Sequence, residues 1–267
     1  MASSCKIETG MQLLARLTKQ QNIEKFYPVL FENGPRPGEV IELYSESNIN
    51  PLLIDIICEA LLPSCFGDLK ISIIYFNCNG NFNYDSLLSC MSYKISTYVS
   101  ENKTTQNCND NKINELVKKM LSNIFIAEIY DASQFYISIH NLERVFLEHS
   151  NIAMIIVDTI TAFYWSEQAH KICKMDTYTK KILQIIQKVC KDHKLSILYT
   201  RPEHFSSSKD SIEAFEPCNQ FPVLEKVNYR IQVVPTKDES IYNINIRTHK
   251  SLIQRTLYMD QDKVDWI

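Results

Sequence analysis

The chain has 267 residues, is 45% apolar and 22% charged, and carries a formal charge of −3. That is the make-up of a globular domain with material for one sizeable core. It argues against a strongly basic nucleic-acid-binding module, which shows the opposite charge balance, and no apolar run reaches membrane-spanning length. Nine cysteines, odd in number and without a CxxC pair, fit free thiols in a reducing compartment better than a disulfide framework. The amino-terminal MASSCKIETG has no apolar stretch of the kind a signal peptide needs.

Taken in order, Thr9 reads as the cap of a short helix carrying Met11, Leu14 and Leu17. Asn33–Gly38 is a break rich in proline and glycine. Glu39–Tyr44 reads as a strand, Ser45–Asn50 as a polar loop, and Pro51 as a first-turn residue of the next helix. That helix repeats apolar pairs at Leu52/Leu53, Ile56/Ile57 and Ala60/Leu61, and Pro63 is expected to end it. Lys70–Phe76 is a second strand, followed by a turn over Asn77–Asn81 and a helix marked by Leu87/Leu88, Met91, Ile95 and Tyr98. A polar insertion at Asn102–Asn111 precedes a helix over Lys112–Ser122 and a third strand over Ile124–Tyr130. Phe135, Ile139, Leu142 and Phe146 then stripe one helical face.

Ile152–Val157 is six apolar residues in a row, closed by a single carboxylate, Asp158. Without period-2 alternation, both faces of this strand should be buried, as in the middle of a parallel sheet. Its carboxyl tip is where open α/β sheets bind ligands. Asp176 reads as the cap of a long helix with Ile182, Leu183, Ile186, Val189 and Cys190 on one face, and Leu195–Thr200 as the following strand. Arg201–Pro222 is a long mixed-charge loop. Beyond it Tyr229–Val234, Ile241–Arg247 and Ile253–Met259 are strands joined by short turns, with Lys263–Ile267 as one more.

Strand–helix alternation followed by a meander predicts an α/β fold. We expect a mostly parallel central sheet, helices on both faces, and antiparallel hairpins extending one edge. A single domain accounts for the whole chain: an amino-terminal helix and linker (1–38), the α/β core (39–200), a long loop (201–226) and the carboxyl-terminal hairpins (227–267).

A strand, a loop and a helix at Glu39–Pro63 have the layout of a phosphate-binding loop. The chemistry that such a loop needs is glycines to let backbone N–H groups wrap the phosphates, a lysine, and a hydroxyl for magnesium. Ser45-Glu46-Ser47-Asn48-Ile49-Asn50 contains no glycine and no lysine, and Glu46 adds negative charge. His170-x-x-Cys173 and Cys190-x-x-His193 look like halves of a zinc site, but a helix from Asp176 to Cys190 would hold them about 21 Å apart at 1.5 Å per residue, so no metal site is assigned.

Glu39–Pro63, Tyr75–Phe82 and Asp158–Trp165 together resemble the core of RecA/Rad-type recombinases, and more closely the small eukaryotic paralogue family of X-ray repair cross-complementing protein 2. Thr9–Leu17 (TGMQLLARL) and Ala162–Trp165 (AFYW) are the most particular matches. The resemblance implies a RecA-like fold and a nuclear role in homologous-recombination repair of DNA breaks. It also implies assembly with other recombinase paralogues, chiefly the D-type one, and no membrane association.

Carried over by position, the family's phosphate loop falls on Ser45, Ser47, Asn48 and Asn50. The catalytic glutamate after the second strand becomes Asn79, which cannot act as a base. The magnesium-ordering acid is kept as Asp158, and Arg201-Pro202 stand where a glutamine couples nucleotide to DNA. With three of four elements gone, the resemblance implies a chain that is not an enzyme and uses no ATP–magnesium cofactor. The family's two DNA loops fall on Ser166–Met175 and Arg201–Pro222, which makes Lys171, Lys174, Arg201 and Lys209 the candidate phosphate contacts, made within a larger complex. Tyr164 and Trp165 are read either as packing for the next helix or as an aromatic anchor for a partner.

Three functions fit these observations. The first is a non-catalytic RecA-like subunit of a recombination-repair complex. The second is a weak ATP-binding, DNA-stimulated ATPase of the same pathway. The third is an unrelated α/β nucleotide- or small-molecule-binding protein.

Overall fold

The computed structural model describes residues 10, 13, 26–31, 34–66, 71–102, 110–168, 173–202, 227–238, 240–260 and 263–267, with the backbone alone at 63–66 and 101–102. The helix expected after Thr9, the insertion at Asn102–Asn111 and most of Arg201–Pro222 therefore fall largely outside the described residues, as do Lys171 and Lys209.

The element order is β1 (Val40–Ser45), α1 (Asn50–Phe66), β2 (Ser72–Asn77), α2 (Tyr84–Asn102), α3 (Asp110–Leu121), β3 (Ile124–Glu128), α4 (Ala132–Glu148) and β4 (Ile152–Asp158). It continues with α5 (Tyr164–Gln168), α6 (Met175–Cys190), β5 (Ser196–Pro202), β6 (Tyr229–Pro235), β7 (Ile241–Arg247), β8 (Leu252–Met259) and β9 (Val264–Trp266). The described strands form one sheet in the order β3-β2-β4-β5-β1-β6-β7-β8-β9. From β3 through β6 the neighbours are parallel, and from β6 through β9 they are antiparallel. This is the expected α/β plan of a parallel core extended by hairpins.

The apolar runs explain the plan. All seven residues of β4 and all six of β1 and β2 are buried, because helices cover both faces of the sheet. Successive residues feed different cores. Ile41 and Leu43 join Leu52, Ile56, Met91 and Met120 under α1, α2 and α3. Val40 instead joins Phe135, Ile139, Phe146, Ile182 and Ile186 under α4 and α6. Each such side chain taken fully out of water contributes roughly 1.5–3 kcal/mol. The hairpins keep this one-sided: Ile231, Val233, Ile244, Ile246 and Leu257 enter the first core, while Arg230, Gln232, Asn245 and Arg247 lie on the other face.

Tyr27, ahead of β1, and Trp266, in β9, meet beside α1. Tyr27 donates to the buried Asp55 carboxylate, and Trp266 Nε1 donates to the Tyr27 oxygen at 2.8 Å with the rings edge-to-face. Lys94 Nζ, 2.8 Å from Asp55, supplies the compensating charge.

Several expected boundaries shift. Pro63 does not end α1, which runs three residues further, to Phe66. A proline lacks only its own N–H and disfavours only the turn before it, and the buried face from Leu52 to Leu61 holds that turn in place. Asp176 is not the cap of α6: Lys174 is, without a side-chain cap bond, and Asp176 lies in the first turn, where a carboxylate suits the helix dipole. Arg201 and Pro202 belong to β5 rather than to the loop after it.

Candidate functional site

The carboxyl ends of β1, β2, β4 and β5 meet at the crevice where α/β sheets bind ligands. Between the end of β1 and the start of α1 lie only residues 46–49, and the backbone donors of Ser47 and Asn50 are taken by neighbouring side chains. Ser45 Oγ accepts from the Ser47 N–H at 3.0 Å and donates to the Val233 carbonyl at 2.8 Å. Asn48 Oδ1 accepts from the Asn50 N–H at 3.0 Å, so a side chain of the turn occupies the anion-seeking end of α1. Asn50 is buried and its amide donates to the Asn81 carbonyl, tying this turn to the one after β2. Asn79 is exposed on that second turn, which closes when Asn77 Oδ1 accepts from the Gly80 N–H at 3.0 Å. Gly80 has φ +70, the left-handed region that glycine adopts without strain.

Asp158 sits at the tip of β4 as expected, 6% exposed. Both carboxylate oxygens are engaged: Thr200 Oγ1 donates to Oδ1 at 2.6 Å and the Tyr75 hydroxyl donates to Oδ2 at 2.8 Å. Burial is the largest influence on its pKa and raises it, while these two hydrogen bonds oppose the rise. The Tyr75 and Cys78 protons are held more tightly than usual, first by burial and then by the Asp158 charge. Beside it, Glu128 at the tip of β3 accepts from Asn77 Nδ2 at 2.8 Å and from the Tyr84 hydroxyl at 2.5 Å, and the latter bond pushes the Tyr84 pKa up to about 12.

On the opposite face of β1 lies a second charged group. Glu42, fully enclosed, accepts from Arg201 Nε at 2.7 Å and from the Tyr199 hydroxyl at 3.0 Å, and Arg230 Nε lies 3.1 Å from its other oxygen. Burial alone would raise the Glu42 pKa; the two guanidiniums outweigh it and the result is a lowered value.

No family model matches the chain. The mouse DNA repair protein XRCC2 is 20% identical to it over 225 residues, which is 80% of this chain and 76% of that one. The crystal structure of the RadB recombinase superposes with a TM-score of 0.59 at 15% identity, covering 90% of this chain and 96% of the other. The chain is similar in sequence to XRCC2 and shares the fold of the RadB recombinase. The RecA-like fold expected from the three sequence segments is thus present.

The structure brings together Ser45, Ser47, Asn48, Asn50 and Asp158 at one end of the sheet. The two rings of the aromatic pair meet edge-to-face with centroids 4.9 Å apart, but they differ in exposure. Tyr164 is in the second core, 8% exposed, with its hydroxyl donating to the Cys173 carbonyl at 2.8 Å and its ring against Tyr178. Trp165 is 67% exposed on the one-turn helix α5. Of the four cations proposed for DNA, Lys174 is exposed at the start of α6. Arg201 is anchored on Glu42, with its guanidinium 4.7 Å from the centre of the Tyr44 ring and its side chain 12% exposed.

Sequence reasoning missed Tyr75, Thr200, Glu128 and the group around Glu42. A signal existed for the last: Glu42 is the only acid inside the apolar run VIELY, and a charge in a buried strand requires a partner.

Proposed function

We propose that this chain is a non-catalytic RecA-type subunit of a nuclear complex for homologous-recombination repair of DNA breaks, acting through contacts with other recombinase paralogues, chiefly the D-type one. The pathway rests on the likeness to mouse XRCC2, which is named a DNA repair protein. The non-catalytic part rests on the turn at Ser45–Asn50. The backbone donors of Ser47 and Asn50 are taken by the neighbouring Ser45 and Asn48 side chains, and no lysine is present to meet a triphosphate. Against a magnesium–triphosphate stands the further point that each oxygen of Asp158 already accepts a hydrogen bond, from Thr200 or from Tyr75. A weak ATPase would require those bonds to break and the turn to reopen.

The exposed Trp165 is the aromatic group best placed to anchor a partner, since a large ring gives much contact area for little lost freedom. Co-expression with the D-type paralogue tests the reading: the two chains are expected to co-purify in equal amounts, and failure to do so overturns it.

A further inference from the structure

The dipeptide Asn–Gly occurs twice in the chain, at Asn33-Gly34 and at Asn79-Gly80. It carries a chemistry that neither residue has alone. The asparagine amide carbon is an electrophile beside the following backbone nitrogen, and glycine, without a Cβ, lets the two approach. The fold places the two copies in opposite settings.

Asn79 and Gly80 are both exposed on the turn after β2. The Asn79 side chain makes no hydrogen bond among the described residues, so its amide is free to swing toward the Gly80 nitrogen. Nothing lies within 4 Å of the position that a Cβ on Gly80 would take. The Gly80 N–H is held by a single bond, to Asn77 Oδ1 at 3.0 Å. Releasing it is a local opening of an exposed turn, which leaves the sheet intact. Gly34 is buried instead, and its Cβ position would meet the Tyr229 hydroxyl at 2.9 Å and the Arg36 nitrogen at 3.1 Å. Asn33 itself lies outside the described residues. The neighbouring asparagines of the exposed turn are worse placed than Asn79. Asn81 and Asn83 precede Phe82 and Tyr84, whose side chains crowd the backbone nitrogen. Asn83 Oδ1 also accepts from the Asp85 and Ser86 N–H groups, at 3.0 and 3.1 Å.

We propose that Asn79 is a site of spontaneous deamidation in the folded protein, with water as the co-reactant. The Gly80 nitrogen gives its proton to hydroxide and bonds to the Asn79 Cγ. The Cγ–Nδ2 bond breaks, ammonia leaves with a proton from water, and a cyclic imide remains. Water opens the imide at either carbonyl and leaves aspartate or isoaspartate, with no change of oxidation state. Either product puts a new carboxylate on the turn whose Asn81 carbonyl accepts from the Asn50 amide. Isoaspartate also routes the backbone through the former side chain and lengthens that turn.

The test is peptide mapping by mass spectrometry of the full chain aged at body temperature in mildly alkaline buffer, folded and in urea. Isoaspartate is counted by labelled methyl transfer from S-adenosylmethionine with an isoaspartyl carboxyl methyltransferase. In the folded chain Asn79 is expected to convert ahead of Asn33, Asn81 and Asn83. In urea Asn33 should catch up, and Asn79 should convert faster than in the folded chain because Asn77 no longer holds the Gly80 N–H. Asn79→Gln, whose longer side chain closes the ring poorly, should remove most of the isoaspartate formed by the folded chain. The proposal is overturned if Asn33, Asn81 or Asn83 converts as fast as Asn79 in the folded chain, or if the ratio of Asn79 to Asn33 conversion is the same in urea. Unchanged isoaspartate in Asn79→Gln would also overturn it, and the wild-type map decides the matter if that variant does not fold.

Discussion

β1 and β4 each bury one carboxylate, and the two are compensated in opposite ways. Glu42 faces two guanidiniums and a tyrosine hydroxyl, and its pKa falls. Asp158 faces two hydroxyls and, among the described residues, no cation partner, and its pKa rises. Asp158 lies at the carboxyl tip of β4, where the sequence resemblance leads us to expect a metal-ordering acid, and its surroundings satisfy it with neutral donors. A buried carboxylate–guanidinium pairing, Glu42 with Arg201, lies instead on the other face of the sheet. A retained acid is therefore not evidence of a working site: what matters is whether its oxygens remain available.

Substitutions sharpen the contrast. The largest effect is expected from Glu42→Gln. It leaves Arg201 buried and Arg230 half-buried without their carboxylate, which should cost about 3–5 kcal/mol of unfolding free energy in urea titration, less to the extent that Arg230 reaches solvent. Asp158→Ala should cost about 1–3 kcal/mol by orphaning Tyr75 and Thr200, whereas Asp158→Asn keeps both partners supplied and should change stability little. Equal losses for Asp158→Ala and Asp158→Asn would contradict the hydrogen-bonded account.

The two acids also differ in the sign of their pH dependence. A lowered pKa means that Glu42 contributes stability above its ordinary value of 4.5 and loses it as pH falls through the folded value. Asp158, with a raised pKa, contributes most below its ordinary 3.8 and loses that contribution as pH rises through the folded value. Glu42→Gln should therefore flatten the acid limb of a stability–pH curve, and Asp158→Asn should remove a loss seen on raising the pH. Parallel changes in the two variants would break the comparison. The smallest stability effect is expected from Trp165→Ala, within about 0.5 kcal/mol because the ring is mostly exposed, together with a marked loss of co-purification with the D-type paralogue.

The fold was legible because continuous apolar runs such as Ile152–Val157 and helical stripes such as Phe135, Ile139, Leu142 and Phe146 have one economical arrangement, and all ten residues are buried. Boundaries were less so: Pro63 and Asp176 carry real local signals that packing overrode. At the site, the lack of glycine and lysine between Ser45 and Asn50 was plain from residue types alone. What replaces them was not, because the partners come from far along the chain. Tyr75 and Thr200 reach Asp158 across 83 and 42 residues, and Arg201 reaches Glu42 across 159. Tyr164 and Trp165 are neighbours of the same chemical kind, and only the three-dimensional path of α5 sends one into the core and the other to the surface.

The central claim is that the carboxyl-end crevice is wired for structure rather than for a nucleotide. It is tested most directly by titrating the purified chain with a fluorescent ATP analogue in the presence of magnesium. The account predicts no saturable binding. Micromolar binding that disappears in Asp158→Ala, while the variant remains folded, would contradict it.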